Sequence, residues 1–145
     1  MSLAQNKKAF FDYEILETLE AGLILTGQEV KSAKNGSLNL KGAFVTFHNS
    51  NAYLTNCHIS PYPFAGKLPD YSPTQSRRLL LHKKQVKYLQ GKSLEKGLTI
   101  LPIEVYTKSR FVKVKIAVAR GKHQYDKREA IKKRDAKREL QRALK

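Results

Sequence analysis

The stretch Thr99-Ile100-Leu101-Pro102-Ile103-Glu104-Val105-Tyr106, joined through Thr107–Arg110 to Phe111-Val112-Lys113-Val114-Lys115-Ile116-Ala117-Val118-Ala119, decides the fold. In its second half Val112, Val114, Ile116 and Val118 fall on one face, and Phe111, Lys113 and Lys115 on the other. That period of two is the mark of a half-buried strand. In its first half Leu101, Ile103 and Val105 are expected on the inner face. Two such runs with a short turn between them predict an antiparallel hairpin.

Upstream the pattern stays mainly β. Ala43–Phe47 and Ala52–His58 alternate around the turn formers His48-Asn49-Ser50-Asn51, a second hairpin. Phe10–Leu25 reads as a long strand, with Gly22 marking a bend near Glu20-Ala21-Gly22. Gly27–Lys34, stopped by Asn35-Gly36, reads as a short helix. Residues 60–75 hold four of the five prolines (Pro61, Pro63, Pro69, Pro73) and read as a loop. Arg77–Leu81 fits a strand or a helix start, and Val86 with Leu89 a short helix, followed by a turn at Ser93–Gly97. Residues 1–9 read as a loose basic arm carrying Asn6, Lys7 and Lys8. Short strands interrupted by helices predict an antiparallel barrel of the oligonucleotide-binding (OB) type over residues 1–119.

Charge points to the partner. The chain has 28 Lys and Arg against 12 Asp and Glu, a formal net charge of +16. A field of that strength costs stability by self-repulsion, and nucleic acid relieves it while releasing counterions. No segment has the apolar run or amphipathic face that a membrane needs. Cys57 is the single cysteine, and Met1–Lys8 has no apolar stretch of signal-peptide length, so a cytoplasmic location is expected.

Composition shifts at Arg120. From there to Lys145 stand eleven Lys or Arg and four Asp or Glu, with neither glycine nor proline after Gly121. The residues are good helix formers, yet the apolar stripe of Ala136, Leu140, Ala143 and Leu144 is thin. A tail over 120–145 that is unordered alone and helical when bound is expected. Lys122 and the run Tyr125-Asp126-Lys127-Arg128 place an aromatic among cations, suited to stacking on a base while the cations hold phosphates. Lys132, Lys133 and Arg134 continue the charge.

Within the barrel, Arg77 and Arg78 are candidates for phosphate contacts. At least two of Leu79, Leu80 and Leu81 are expected in the core, leaving room for one exposed leucine against a ribose or base. Glu20 is either an ion-pair partner of a lysine or an acceptor for a base amino group or ribose hydroxyl. His48, His58, His82 and His123 show no metal-ligand spacing, and no cofactor motif is present. RNA binding is the leading reading, with a two-histidine ribonuclease well below it.

The runs Asn6-Lys7-Lys8-Ala9, Tyr13, Glu20-Ala21-Gly22, Gly27-Gln28-Glu29-Val30-Lys31-Ser32, Arg77-Arg78-Leu79-Leu80-Leu81, Gly121-Lys122 and Asp126-Lys127-Arg128 together resemble the SsrA-binding (small protein B) family. The resemblance implies an OB-type barrel that binds the tRNA-like part of transfer-messenger RNA near its elbow, through positions falling on Asn6, Glu20 and Leu80. It implies a second partner, the ribosome, with the tail as a helix in the empty messenger channel beside the small-subunit decoding centre. It also implies elongation factor Tu with GTP as an indirect partner through the charged RNA, and no chemistry by the chain itself. Tyr125 stands where relatives often have histidine. A ribosomal or rRNA-maturation protein is the alternative with the same physics.

Overall fold

A computed structural model describes residues 1–122. The final hairpin is its spine: β8 (Leu98–Lys108) pairs along its length with β9 (Phe111–Gly121). On β9's other side lies β2 (Tyr13–Leu23), with Tyr13 opposite Gly121 and Gly22 opposite Lys113. The antiparallel sheet continues through β7 (Arg77–Leu80), β5 (Asn51–Thr55) and β4 (Phe44–His48), and on the far side of β8 through β1 (Ser2–Gln5). It curls until β4 packs near β8, giving the OB-type barrel. The short pair β3 (Leu38–Asn39) and β6 (His58–Ile59) stands beside it.

Three helices complete the described residues: α1 (Lys7–Asp12), α2 (Gly27–Lys34) and α3 (Lys83–Ser93). Helix α2 has the bounds expected of it. Thr26 caps it reciprocally with Glu29, and Gly36 (φ 84°) supplies the left-handed residue that ends it. Helix α3 lays Val86 and Leu89 against β8 and β9. The core gathers Val112, Val114, Ile116 and Val118 of β9 with Leu54, Leu79 and Ile59.

Several expectations are corrected. Residues 1–9 are no loose arm: β1 is hydrogen-bonded to β8, and α1 follows directly. The segment is too short to show a period, and it pairs through backbone groups while Leu3 and Ala4 pack against the core. Helix α1 also takes Phe10–Asp12, so the long strand begins at Tyr13. Its register on β9 shifts between Ile15 and Glu17, and at Gly22 it pairs with both Lys113 of β9 and Leu80 of β7. The second hairpin turns on Asn49 and Ser50 alone, both at positive φ, which matches the twist of the flanking strands. Its return strand stops at Thr55, because Asn56 (φ 62°) redirects the chain and His58 joins another sheet. Arg77–Leu80 is a strand. β9 runs to Gly121, two residues past the expected boundary at 119.

The face of β8 is also corrected. Leu101 and Ile103 pack with Ala9, Ala117 and Ala119 under α1, whereas Ile100 and Val105 enter the main core. A bulge at Ile103, which has no partner between Pro102↔Ile116 and Glu104↔Lys115, flips the alternation in mid-strand.

Candidate nucleic-acid interface

Directly opposed residues of an antiparallel sheet share a face. The register therefore lines up Tyr106 (β8), Lys113 (β9), Gly22 (β2) and Leu80 (β7) as one row on the outer surface. The adjoining row holds Glu104, Lys115 and Glu20. Ala21, between the outward Glu20 and Gly22, is buried. A Cβ at Gly22 would stand 3.2 Å from the Leu80 Cβ, tight enough that Leu80 would have to shift by a few tenths of an ångström. The bare glycine backbone lets Leu80 lie over the strand with 53% of its surface exposed. Glu20, Gly22, Leu80, Leu81, His82, Gln85 and Lys113 line a cleft of about 340 Å³.

Glu20 is held in place. The Tyr106 hydroxyl donates to its carboxylate, and Lys108 Nζ lies 3.8 Å away. The Tyr106 hydrogen bond holds the carboxyl below its ordinary range; burial opposes it, and the charges of Lys108 and Lys113 add to the lowering. Reciprocally, burial and the bond to Glu20 push the Tyr106 hydroxyl up to about 12. The result is an ionised, oriented acceptor among lysines, beside an exposed leucine. Such a surface suits a polyanion that also offers N–H or O–H donors, as nucleic acid does.

A family model described as SmpB protein matches residues 3–145. The chain belongs to the SmpB family. Among its relatives are SsrA-binding proteins of Sulfurihydrogenibium sp. (53% identical over 99% of this chain and 93% of the relative) and Ligilactobacillus salivarius (51%, over 99% and 92%). A solved chain from "tmRNA-SmpB: a journey to the center of the bacterial ribosome" superposes with a TM-score of 0.70 at 41% identity, over 88% of this chain and 93% of that one.

In this SmpB-family chain the expected RNA-contact residues do not form one site. Glu20 and Leu80 come together in the cleft. Of the three leucines, Leu79 is buried and Leu81 packs against the core, so Leu80 is the exposed one. Arg78 is exposed on the same strand, its guanidinium donating to Asn51 Oδ1 at 3.1 Å. Lys7 and Lys8 are exposed on α1, at the opposite end of β9, where the chain leaves the barrel. Lys122 is there too, roughly 30 Å along the strand from Lys113 at about 3.4 Å per residue. Its backbone N–H donates to the Asp12 carbonyl (2.9 Å) and its Nζ to the Phe10 carbonyl (3.2 Å).

Two residues are corrected. Arg77 is not available to a phosphate: it is 3% exposed, with its guanidinium engaged inside the chain. Nε pairs with Glu29 at 2.6 Å, and the other nitrogens donate to the carbonyls of Cys57 (2.6 Å) and Pro73 (2.9 Å) and to the Tyr71 hydroxyl (3.1 Å). Asn6 is buried and serves the β8 bulge. Its N–H donates to the Ile103 carbonyl (2.9 Å) and its Nδ2 to the Pro102 carbonyl (3.0 Å), while its Oδ1 accepts from the Ala9 N–H (3.2 Å). Thus Asn6 satisfies the groups the bulge leaves over and caps α1. Tyr125, Asp126, Lys127, Arg128, Lys132, Lys133 and Arg134 lie outside the described residues.

Tyr106, Lys108 and Lys113 were missed as site residues. Their signal was the period of two, which puts Lys113 on the outer face. Only the hairpin register adds Tyr106 beside it and brings both to Glu20.

Proposed function

We propose that the chain binds the tRNA-like part of transfer-messenger RNA and delivers it to stalled ribosomes in the cytoplasm for trans-translation. The observation that carries this is the cleft in which Glu20, Gly22 and Leu80, separated in sequence, meet among lysines, in a chain whose relatives are named SsrA-binding proteins. The Glu20 carboxylate accepts from a base amino group or ribose hydroxyl, Leu80 packs on a sugar or base, and surrounding lysines neutralise phosphates. The chain makes and breaks no bond. Elongation factor Tu with GTP engages the charged RNA, and the tail from Tyr125 through Arg134 and beyond reads the empty messenger channel at the decoding centre. The deciding experiment is to purify the protein from cells and sequence the RNA that accompanies it. One dominant transfer-messenger RNA supports the reading; ribosomal RNA fragments support an rRNA-maturation role instead.

Binding should depend steeply on salt. With about six phosphates neutralised, affinity is expected to fall roughly a thousandfold between about 50 and 200 mM salt. A filter-binding titration that is flat over this range refutes the electrostatic basis.

Glu20→Gln separates a specific acceptor from a surface ion pair. Removing a negative charge beside a polyanion strengthens binding if charge alone matters. Loss of a charge-assisted acceptor instead weakens it by about 1–3 kcal/mol, which is the expected result. Because Glu20 is exposed, the thermal melting midpoint should stay close to the parent's.

A further inference from the structure

Beyond the cleft, the end of the β8–β9 hairpin carries a feature that neither Glu20 nor Leu80 accounts for. Phe111 opens β9 on its outer face, opposite Lys108, and 61% of its surface is exposed. Single exposed apolar residues are ordinary. This one is distinguished by its surroundings. Lys113 Nζ lies 5.7 Å from the ring centroid, and Lys108, facing Phe111 across the ladder, reaches Glu20 at 3.8 Å. Arg110 precedes it in the turn, exposed, after Ser109 at a φ of 57°. An aromatic ring thus stands at the tip of a hairpin among three cations, and Lys113 continues from it into the wall of the Glu20 cleft.

We propose that Phe111 is a stacking platform for one unpaired RNA base, next to the base or ribose that Glu20 and Leu80 engage. The commitment to RNA rests on charge complementarity. Lys113 lies against the ring, Lys108 is its partner across the ladder and Arg110 its exposed neighbour in the turn, so an apolar protein or lipid partner would have to desolvate cations, whereas a nucleotide supplies a π-face and a phosphate together. The spacing agrees: Phe111 and Lys113 are two residues apart on one strand face, roughly 7 Å, close to the separation of neighbouring nucleotides in an extended strand. Among the described residues the hairpin end is exposed at Lys108, Ser109, Arg110 and Phe111.

The inference rests on the reading of this surface as an RNA interface, and its test separates the two. Phe111→Ala, Phe111→Tyr and Lys108→Ala are titrated with the tRNA-like part of transfer-messenger RNA at several salt concentrations. Phe111→Ala is expected to weaken binding roughly 5- to 100-fold with an unchanged salt slope, because a stack and no phosphate contact is lost. Phe111→Tyr is expected to bind as the parent does. Lys108→Ala is expected to lower the slope by about one. An RNA with 2-aminopurine at successive unpaired positions should show quenching at one position, lost in Phe111→Ala and kept in Phe111→Tyr. Parental affinity for Phe111→Ala, or a loss that tyrosine does not restore, overturns the platform. If the parent protein shows no preference for this RNA over an unrelated stem-loop, the functional reading fails instead. The same variants are then titrated with the RNA that co-purifies, where an unchanged affinity of Phe111→Ala again overturns the platform.

Discussion

Arg77→Ala is expected to destabilise the chain by about 3–5 kcal/mol, a large part of the stability of a domain this size. The cause is the Glu29 carboxylate, which the substitution leaves buried without its cation. In the parent, burial pushes the Glu29 carboxyl upward. The Thr26 N–H, the Arg77 hydrogen bond and the Arg77 charge outweigh this and hold it below the ordinary range. A carboxyl with a depressed folded pKa contributes stability that is fully present above the unfolded value of about 4.3 and is lost as pH falls through the folded pKa. In Arg77→Ala burial is opposed mainly by the Thr26 hydrogen bonds, so the folded pKa rises relative to the parent and protonation costs the variant less. The gap in unfolding free energy between parent and variant should therefore be widest near neutrality and narrow below about pH 4.3. Urea unfolding at several pH values checks both size and sign. The pair Glu29→Gln with Arg77→Met keeps the Thr26 cap and removes both charges, and should recover much of the loss. A cost under about 1 kcal/mol for Arg77→Ala would mean that the pair is immaterial to the fold. The anchoring also explains how a proline-rich loop is held: Arg77 grips the Pro73 carbonyl and Tyr71, whose hydroxyl in turn donates to the Ile59 carbonyl at 2.7 Å.

Truncation after Lys122 is expected to abolish tagging of peptides on messenger-free ribosomes while leaving a folded, RNA-binding barrel. Among the described residues, 1–122, the chain already gathers an extensive core, and Lys122 is tied to α1 through its own backbone. The segment removed carries little apolar surface, so it contributes little burial. It carries much positive charge, so the truncated protein should bind the tRNA-like RNA with a smaller salt slope. Replacing Asp126, Lys127 and Arg128 by alanine should reproduce the tagging defect with near-parental RNA affinity. Alanine is a stronger helix former than aspartate, so weakened helix propensity is no explanation for that loss. Tyr125→His should be close to normal and Tyr125→Ala defective if the ring stacks. A truncated protein with full tagging activity would overturn the division of labour between barrel and tail.

The elements with strong local signals were legible in the residues: the final hairpin, the helix over Gly27–Lys34, and a hairpin turn within His48–Asn51. The bulge at Ile103 was not. Leu101, Ile103 and Val105 alternate faultlessly, and only the pairing partners on β9 show that one residue is extra. The edge strand Ser2–Gln5 was hidden for a related reason: its backbone pairing to β8 leaves no mark on composition, and Leu3 and Ala4, which pack against the core, are too few to show a period. At the candidate site, Glu20 and Leu80 were found through the family resemblance, but Tyr106 and Lys108 become partners of Glu20 only through register.

The amino-acid sequence by itself determined the class of partner, the OB-type barrel and the basic tail, because charge, period-two alternation and composition are summed over many residues and survive local exceptions. Tertiary structure alone decided which cation faces outward. Arg77 and Arg78 are neighbours of the same type, yet strand alternation sends one into the core, where Glu29 neutralises it, and the other to the surface. It also made Asn6 the closure of a bulge nearly a hundred residues away. These assignments depend on which distant groups are left unpaired and buried, and that is settled only when the strands come into register.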